Sequence, residues 1–439
     1  MSAQTSRLRQ LQVALSLPAS VDRTYAAFAL IAAMPVVILV ASPARFWPSI
    51  AIGLAYLAAA LVIRRPTLSD RWMLAYVGLI GAFTLVSLAR AELLDPLTSA
   101  QRTYAESKSI FFVASVLPFA IALALLLPSP ASLRPAALVQ LALGIGVAIV
   151  SVALQSDTVL GDERYQWQGN VIALAMMVAV QFWLIKRQWV VAVIGALGVA
   201  GILYAGSRQS VAIIGAGMVL TSAYWAGAAH WNAGVPWKKS VLSIRVVLPL
   251  LVLLAQAAAI LGTRLVFGPL QHVGSAVTNP CHCVTYRIID AATGGTGGHL
   301  DLAKAGLSLF LHHPIAGAGL GSFVGLVSTY QYPHNVFLEV GGELGLIGLV
   351  LIFVPLAFAW LRLVWQGMRT ADPAIATLLA LVVAYFVVAN FSADIPSNRA
   401  LWIFGIVALK FGLAGWRWRD RIFSPGRAGA GLTEPEHAR

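Results

Sequence analysis

Long apolar runs separated by short polar segments fill the chain between about residues 25 and 414. Each run approaches the roughly 20 residues that a helix needs to cross a bilayer, and all are too long for the strands of about ten residues found in membrane barrels. The pattern therefore predicts about twelve transmembrane helices. They lie near residues 25–43, 48–63, 72–89, 110–128, 135–154, 170–185, 189–206, 210–227, 246–262, 344–362, 376–390 and 400–414.

The composition supports this pattern. Of the 439 residues, 59% are hydrophobic and 11% are charged, whereas soluble domains are roughly 45–50% apolar and about 25% charged. A soluble globular fold is therefore excluded, and the predicted fold class is an all-α polytopic membrane protein. The first apolar run lacks a small-residue cleavage site, so we expect it to be retained as a span and not removed as a signal peptide.

The basic residues are distributed unevenly between the two predicted sides of the membrane. The loops and termini on one side hold 20 of the 30 lysines and arginines, and the positive-inside rule makes this side cytoplasmic. Both termini then lie in the cytoplasm. With the acidic residues included, the cytoplasmic side carries +14 and the outer side −1, which accounts for the net charge of +13. The basic balance thus reflects topology, and we expect no nucleic-acid partner.

The predicted loops divide the chain into four parts. Residues 1–262 hold helices 1–9, and residues 263–343 form a large outer loop, long enough for a small ordered subdomain with active-site helices. Residues 344–414 hold helices 10–12, and the basic tail 415–439 is cytoplasmic.

Four arginines on the outer side are candidate ligands for phosphate. Arg208, in AGSRQS, lies between two apolar runs with no acidic neighbour in sequence. Such an arginine either snorkels to lipid headgroups or binds an anion, and its planar guanidinium matches the oxygens of a phosphate or diphosphate. Arg264 and Arg287 either bind the same group or simply flank the membrane, and Arg287 has Asp290 nearby as a possible partner. Arg164 is either a further ligand or a solvated loop charge.

Residues 330–349, YQYPHNVFLEVGGELGLIGL, form the most specific stretch of the sequence. Asn335 is a predicted N-cap, which places His334 at the mouth of the helix bundle. A histidine there either acts as a general base on a sugar hydroxyl or serves as a structural hydrogen-bonding group. Glu339 and Glu343 enter an apolar run, where acids are costly without partners. They either orient His334, bind an acceptor or pair with an outer arginine.

The segment FLHHPIAGAGLGSF, residues 310–323, is rich in glycine. These glycines permit a tight turn or a close backbone approach to a ligand. No predicted strand precedes them, so the segment is not a dinucleotide-binding fingerprint. Cys281 and Cys283 lie too close together for an unstrained disulfide, and we expect neither to be catalytic. The first outer loop, SPARFWP, has no carboxylate, and the only adjacent acidic pair outside is Asp162 and Glu163, next to Arg164. The sequence therefore favours arginine over a metal ion as the counter-charge for a diphosphate.

Taken together, AGSRQS, a large late outer loop, HHPIAGAGLGSF and PHNVFLEVGGELGLIGL resemble the bacterial O-antigen ligase family, over roughly residues 160–350. This family shares a superfamily with O-antigen polymerases and protein O-oligosaccharyltransferases. The resemblance implies a GT-C-like fold in the bacterial inner membrane with a periplasmic active site. It implies an undecaprenyl-diphosphate-linked glycan as donor and the lipid A-core oligosaccharide as acceptor.

The resemblance also implies roles for individual residues. His334 would be the catalytic base, with Asn335 and Glu339 positioning the base or the acceptor. Arg208 and one of Arg264 and Arg287 would bind the diphosphate, and RYQWQGN would match the family through Arg164, Gly169 and Asn170. The transfer would invert the anomeric centre without a cofactor or a metal. The sequence departs from the family at GGHLDLAKAG, where relatives often carry an arginine near a tryptophan, so the choice between Arg264 and Arg287 stays open.

Three other functions are compatible with parts of this pattern. A polymerase would use the same donor but a second lipid-linked repeat as acceptor. A protein O-oligosaccharyltransferase often carries a C-terminal soluble domain, and here the tail is short. A lipid or polysaccharide transporter is disfavoured, because the charges cluster on one face of the membrane and the sequence shows no repeat of broken helices.

Overall fold

The computed structural model describes most of the chain, with several gaps. The described residues are 21–40, 46–94, 98–154, 165–186, 208–241, 246–247, 250–251, 254, 271–273, 276–278, 299–324, 326–327, 330–391 and 394–422.

The described residues fold almost entirely into helices. Thirteen α-helices have been numbered in chain order: α1 Val21–Val40, α2 Phe46–Ile63, α3 Leu68–Leu94, α4 Ser99–Phe111, α5 Leu117–Leu126, α6 Arg134–Leu154, α7 Tyr165–Lys186, α8 Arg208–Ala233, α9 Trp237–Val241, α10 His299–His312, α11 Val336–Thr370, α12 Pro373–Ala389 and α13 Arg399–Ile422. A π-helical turn, Phe112–Val116, joins α4 to α5, and a 3-10 turn, Pro130–Leu133, precedes α6. One antiparallel hairpin pairs β1 Gln271–Val273 with β2 Ala276–Thr278.

Six helical segments in the described part of the chain are long and apolar enough to cross a membrane. They are Phe46–Ile63, Asp70–Leu93, Ser99–Leu126, Pro130–Ser151, Gln209–Trp231 and Val336–Thr370. Three shorter apolar helices, Arg23–Ile38, Gln168–Gln181 and Pro373–Ala389, accompany them. The protein is therefore a polytopic helical membrane protein, as predicted.

Helices occupy ten of the twelve predicted spans. The predicted span 189–206 lies outside the described residues, and only a few residues of 246–262 are described. The count of twelve therefore stays a prediction. The central member of the bundle is the continuous segment from α4 through α5, which α2, α3 and α13 surround.

The bundle has two distinct ends. Arg23, Arg64 and Arg134 meet at one of them, which we call the arginine end. The opposite end carries the turn from His313 to Gly321 together with the start of α11, and we call it the glycine end. α4 begins at the glycine end, where the Gln101 side chain donates to the Val324 carbonyl at 3.1 Å.

α11 is broken at the glycine end. Gly345 has φ 68° and ψ −166°, which lies far outside helical geometry. A β-carbon at this position would collide with the backbone of Ile315 and Gly317, so only glycine fits. The predicted boundary between the outer loop and the next span, residues 343 and 344, consequently falls inside α11, just before the break.

The break in α11 leaves backbone amides and carbonyls without partners inside the helix, and the glycine-rich turn supplies those partners. The amides of Ala318 and Gly319 donate to the carbonyls of Gly342 and Glu343, at 2.8 and 3.0 Å. On the other side of the break, the amide of Leu346 donates to the Pro314 carbonyl at 2.8 Å. Irregular backbone inside a membrane protein requires such internal partners.

Arg90 of α3 fixes the turn from the other side. Its guanidinium donates to the carbonyls of Ala316 and Gly317 at 2.6 and 3.0 Å. Gly317 and Gly319 have positive φ values of 71° and 99°. The tight turn that these glycines permit is therefore present, and it packs against the backbone of α11.

Two further boundaries differ from the expectation. The large loop predicted at 263–343 contains the hairpin, α10 and the first turns of α11 among its described residues. The boundary expected between residues 414 and 415 lies inside α13, which continues to Ile422. An apolar pattern marks where a helix enters lipid, whereas the helix itself extends as long as its backbone hydrogen bonds do.

Candidate functional site

His334 lies in the turn that leads into α11, at the glycine end. Its backbone has φ 56°, a left-handed conformation that few non-glycine residues adopt. The imidazole is half-buried and packs edge-on against two aromatic rings, with centroids 4.6 Å from Tyr332 and 5.8 Å from Tyr330. Such backbone strain concentrates at functional sites, where the surrounding structure holds it.

Asn335 caps the helix that follows. Its side-chain oxygen accepts hydrogen bonds from the amides of Phe337 and Leu338, both at 3.0 Å. The predicted N-cap is therefore confirmed. Because the cap fixes the first turn of α11, it also fixes the position of His334, the residue directly before the cap.

Tyr332 is neutral at physiological pH. Burial raises its pKa to about 12, and the negative charges of Asp394 and Glu339 add to this effect. The phenol beside His334 therefore keeps its proton and is not a base.

A buried ionic cluster lies one turn further into the bundle. The Nζ of Lys108, in α4, is 2.5 Å from the Oε1 of Glu339 and 2.5 Å from the Oε2 of Glu343, both in α11. The three side chains are at most 2% exposed. We call them the Lys108 cluster. With every group ionised it carries a formal charge of −1, which a proton or a bound cation must balance in so dry a setting.

The cluster continues towards the glycine end. Tyr104, one turn before Lys108, donates its hydroxyl to the Oδ2 of Asp394 at 2.8 Å. The Lys108 ammonium lies 5.3 Å from the centre of the Tyr104 ring. Asp394 also accepts from the Ser397 amide at 3.0 Å, just before α13 begins. Residues of α4, of α11 and of the segment just before α13 thus converge on one site of buried charges.

The structure brings together two segments that the resemblance had matched separately. Asn170 of α7 donates to the Gln209 side chain at 3.2 Å and accepts from Ser210 at 3.4 Å, both in α8. Gln209 directly follows Arg208, the first residue of α8. The segment ending in Asn170 and the segment containing Arg208 are therefore neighbours in space.

Arg208 is the first residue of α8. In the second half of α8, the Tyr224 hydroxyl donates to the Asp372 carbonyl at 2.6 Å, just beyond the end of α11. The second half of α8 therefore lies beside the end of α11. Only the backbone of Arg208 is described.

The other predicted phosphate ligands, Arg164, Arg264 and Arg287, lie outside the described residues, as do Cys281 and Cys283. Glu339 is described, and its partner is Lys108 rather than one of the outer arginines. The side chains of both glutamates are buried. An acceptor therefore has no direct contact with them in this arrangement.

Sequence reasoning missed Lys108, Tyr104 and Asp394. A signal was present, because Lys108 is a lone cation at the start of the apolar run 110–128. The cost of a charge in an apolar run, which drew attention to Glu339 and Glu343, applies equally to a lysine. Tyr104 and Lys108 are one helical turn apart, but Asp394 is 290 residues from Tyr104 in sequence, so nothing local pairs it with the other two.

Comparison with models of known protein families and with curated proteins finds no match to this chain.

Proposed function

We propose that the protein is an O-antigen ligase. It transfers a glycan from undecaprenyl diphosphate to the lipid A-core oligosaccharide, in lipopolysaccharide biosynthesis at the periplasmic face of the bacterial inner membrane. A GT-C-like fold of about twelve spans, with both termini in the cytoplasm, belongs to this proposal. The arginine end would then face the cytoplasm and the glycine end the periplasm.

The observation that carries the proposal is the setting of His334. The imidazole lies at the mouth of the bundle, in a strained left-handed turn, between two tyrosines and directly before the capped start of α11. A half-buried imidazole in a fixed position is suited to general base catalysis near neutral pH.

In the proposed reaction, an acceptor hydroxyl attacks the anomeric carbon of the donor. The new bond to that carbon forms as its bond to the diphosphate oxygen breaks, so the centre inverts. His334 removes the hydroxyl proton, and undecaprenyl diphosphate leaves with the bonding electrons. Arg208, with Arg164 and either Arg264 or Arg287, would stabilise the negative charge that develops on the leaving group. No cofactor or metal is required by this scheme.

The test uses the full chain reconstituted in nanodiscs with lipid-linked donor and lipid A-core. We expect product in the presence of EDTA, and we expect His334→Asn to lower the rate at least about 10²-fold, the usual contribution of a general base. Asparagine tolerates the left-handed backbone, so this variant removes the base without changing the backbone conformation of the turn.

His313→Asn is the matched control, because His313 is an exposed histidine in the neighbouring turn. It should retain the parent rate. Full activity of His334→Asn would remove His334 from the mechanism. Product formed only when a second lipid-linked repeat replaces lipid A-core would identify a polymerase instead.

A transporter is the second candidate, and one observation favours it. No repeat of broken helices is visible in the sequence, yet α11 is broken at Gly345 beside a buried cluster with a surplus negative charge. Broken helices and buried ionisable groups are typical of transporters. A transporter would move the lipid-linked glycan across the bilayer of a vesicle with no acceptor present, and it would tolerate His334→Asn while losing activity on Lys108→Met.

A further inference from the structure

A cleft opens at the arginine end, far from His334. Its volume is about 680 Å³, within the range of roughly 300–1,000 Å³ typical of ligand sites. It lies between the start of α1, the end of α2 and the start of α6. Apolar side chains form most of its wall, among them Phe28, Ile31, Ile63, Leu126 and Leu138.

Three cations line the polar side of the cleft. They are Arg23 of α1, Arg64 just after α2 and Arg134 at the start of α6. Arg64 is held in place by a hydrogen bond from its Nη1 to the Leu125 carbonyl at 2.8 Å, whereas Arg23 and Arg134 are exposed. No acidic side chain lines the described cleft. Its formal charge of +3 therefore has no counter-charge within the wall.

We infer that this cleft binds the headgroup phosphate of an anionic phospholipid. Guanidinium groups match phosphate oxygens, and three of them around one cavity suit a phosphodiester better than a zwitterionic headgroup. The apolar wall continues from the arginines along α1 and α6, and there it provides a path for the acyl chains. Because free phosphate has no apolar part, the apolar wall favours a lipid over free phosphate as the ligand of the cleft. This site is independent of the proposed glycosyl transfer.

The test compares the parent protein with Arg23→Gln/Arg134→Gln. Arg64 is left intact, because its bond to Leu125 supports the fold. The full chain is placed in phosphatidylcholine nanodiscs with increasing fractions of phosphatidylglycerol. Bound phosphatidylglycerol is counted by native mass spectrometry, and its affinity is measured with a fluorescent analogue. We expect the double variant to bind phosphatidylglycerol at least about tenfold more weakly, since each basic residue near the surface contributes about 1 kcal/mol.

Arg65→Gln/Arg71→Gln is the matched control. Both arginines are exposed near the same end, outside the cleft, and the change in net charge is the same. This control should retain the parent affinity. Equal losses in the two double variants would show a general surface-charge effect and overturn the site. Protection against thermal unfolding by inorganic phosphate, equal to that by phosphatidylglycerol, would overturn the lipid as its occupant.

Discussion

Two buried lysines join helices at opposite ends of the bundle, and they are paired differently. Lys108 and Lys410 are each only 4% exposed. Lys410 of α13 lies 3.1 Å from the Asp70 carboxylate, and it donates to the carbonyls of Ala124 and Leu127 at 2.6 and 2.9 Å. This site is electrically neutral, and each of its bonds joins parts of the protein to one another.

Lys108 instead contacts two carboxylates, so the Lys108 cluster has a formal charge of −1 when all three groups are ionised. The contacts of Lys410 with Asp70, Ala124 and Leu127 make this site a structural connection between α13, α3 and the end of α5. The Lys108 cluster needs a proton or another cation to balance it, and it adjoins the turn that carries His334. The two lysines are equally buried, and they differ in the number of carboxylates that surround them.

The largest expected effect comes from Lys108→Met. This change leaves Glu339 and Glu343 buried without a cation, which should lower the free energy of unfolding by about 3–5 kcal/mol. Because both glutamates are on α11 just after His334, the proposed transfer activity per folded molecule should also fall at least about tenfold. Titration with denaturing detergent and turnover of lipid-linked donor measure the two effects. Adding Glu339→Gln and Glu343→Gln to the Lys108→Met variant should recover most of the lost free energy of unfolding. A triple variant no more stable than Lys108→Met would contradict the charge argument.

Lys410→Met sharpens the comparison at the other end. We expect it to lower the free energy of unfolding by about 3 kcal/mol, the low end for a broken buried pair. Asp70 keeps hydrogen bonds from the amide and hydroxyl of Thr67, at 2.7 and 2.6 Å, which limits the loss. Turnover per folded molecule should stay within about twofold of the parent. A large loss of turnover with stability intact would give the Lys410 site a functional role.

Gly317→Ala tests whether the glycine-rich turn holds the cluster in place. A β-carbon at Gly317 would overlap the backbone at Glu343 and Leu344, and φ is 71°. We expect a loss of about 1–3 kcal/mol in unfolding free energy, together with lower turnover. Gly78→Ala is the matched control, since Gly78 lies in α3 with open space around its α-carbon. It should be neutral or stabilising by up to about 1 kcal/mol.

The smallest effect on stability is expected for Glu343→Gln. This change removes the surplus charge while Lys108 keeps Glu339, so the free energy of unfolding should change by less than about 1 kcal/mol. Asp70→Asn, the corresponding change at the other end, leaves Lys410 without a counter-charge and should be clearly worse. Parallel unfolding titrations compare the two. Equal losses would show that the two lysine sites do not differ in charge balance.

Much of the fold was predictable because its rules are local. Backbone polar groups in lipid must be bonded within the segment, so long apolar runs predict helices wherever they occur. The same holds for Asn335, whose capping role depends on amides two and three residues away. His334 was also found from its own neighbourhood, the turn before a capped helix.

The break in α11 was not predictable in this way. Gly345 lies in an apolar run that reads as one continuous span, and helices tolerate single glycines. Its non-helical conformation depends on the turn around Gly317, which bonds the amides and carbonyls on both sides of the break. Arg90, which fixes that turn, is 226 residues away from Ala316 in sequence.

The sequence by itself determined that this chain is a polytopic helical membrane protein with a histidine at the start of a helix, because hydropathy and capping act over a few neighbouring residues. Only the tertiary structure decided which buried charges meet. Lys108 and Glu343 are 235 residues apart, and the sequence offers several other cations for the same carboxylate. The choice among them follows from the packing of α4 against α11, because a buried charge is stabilised by the partner that the fold brings within bonding distance.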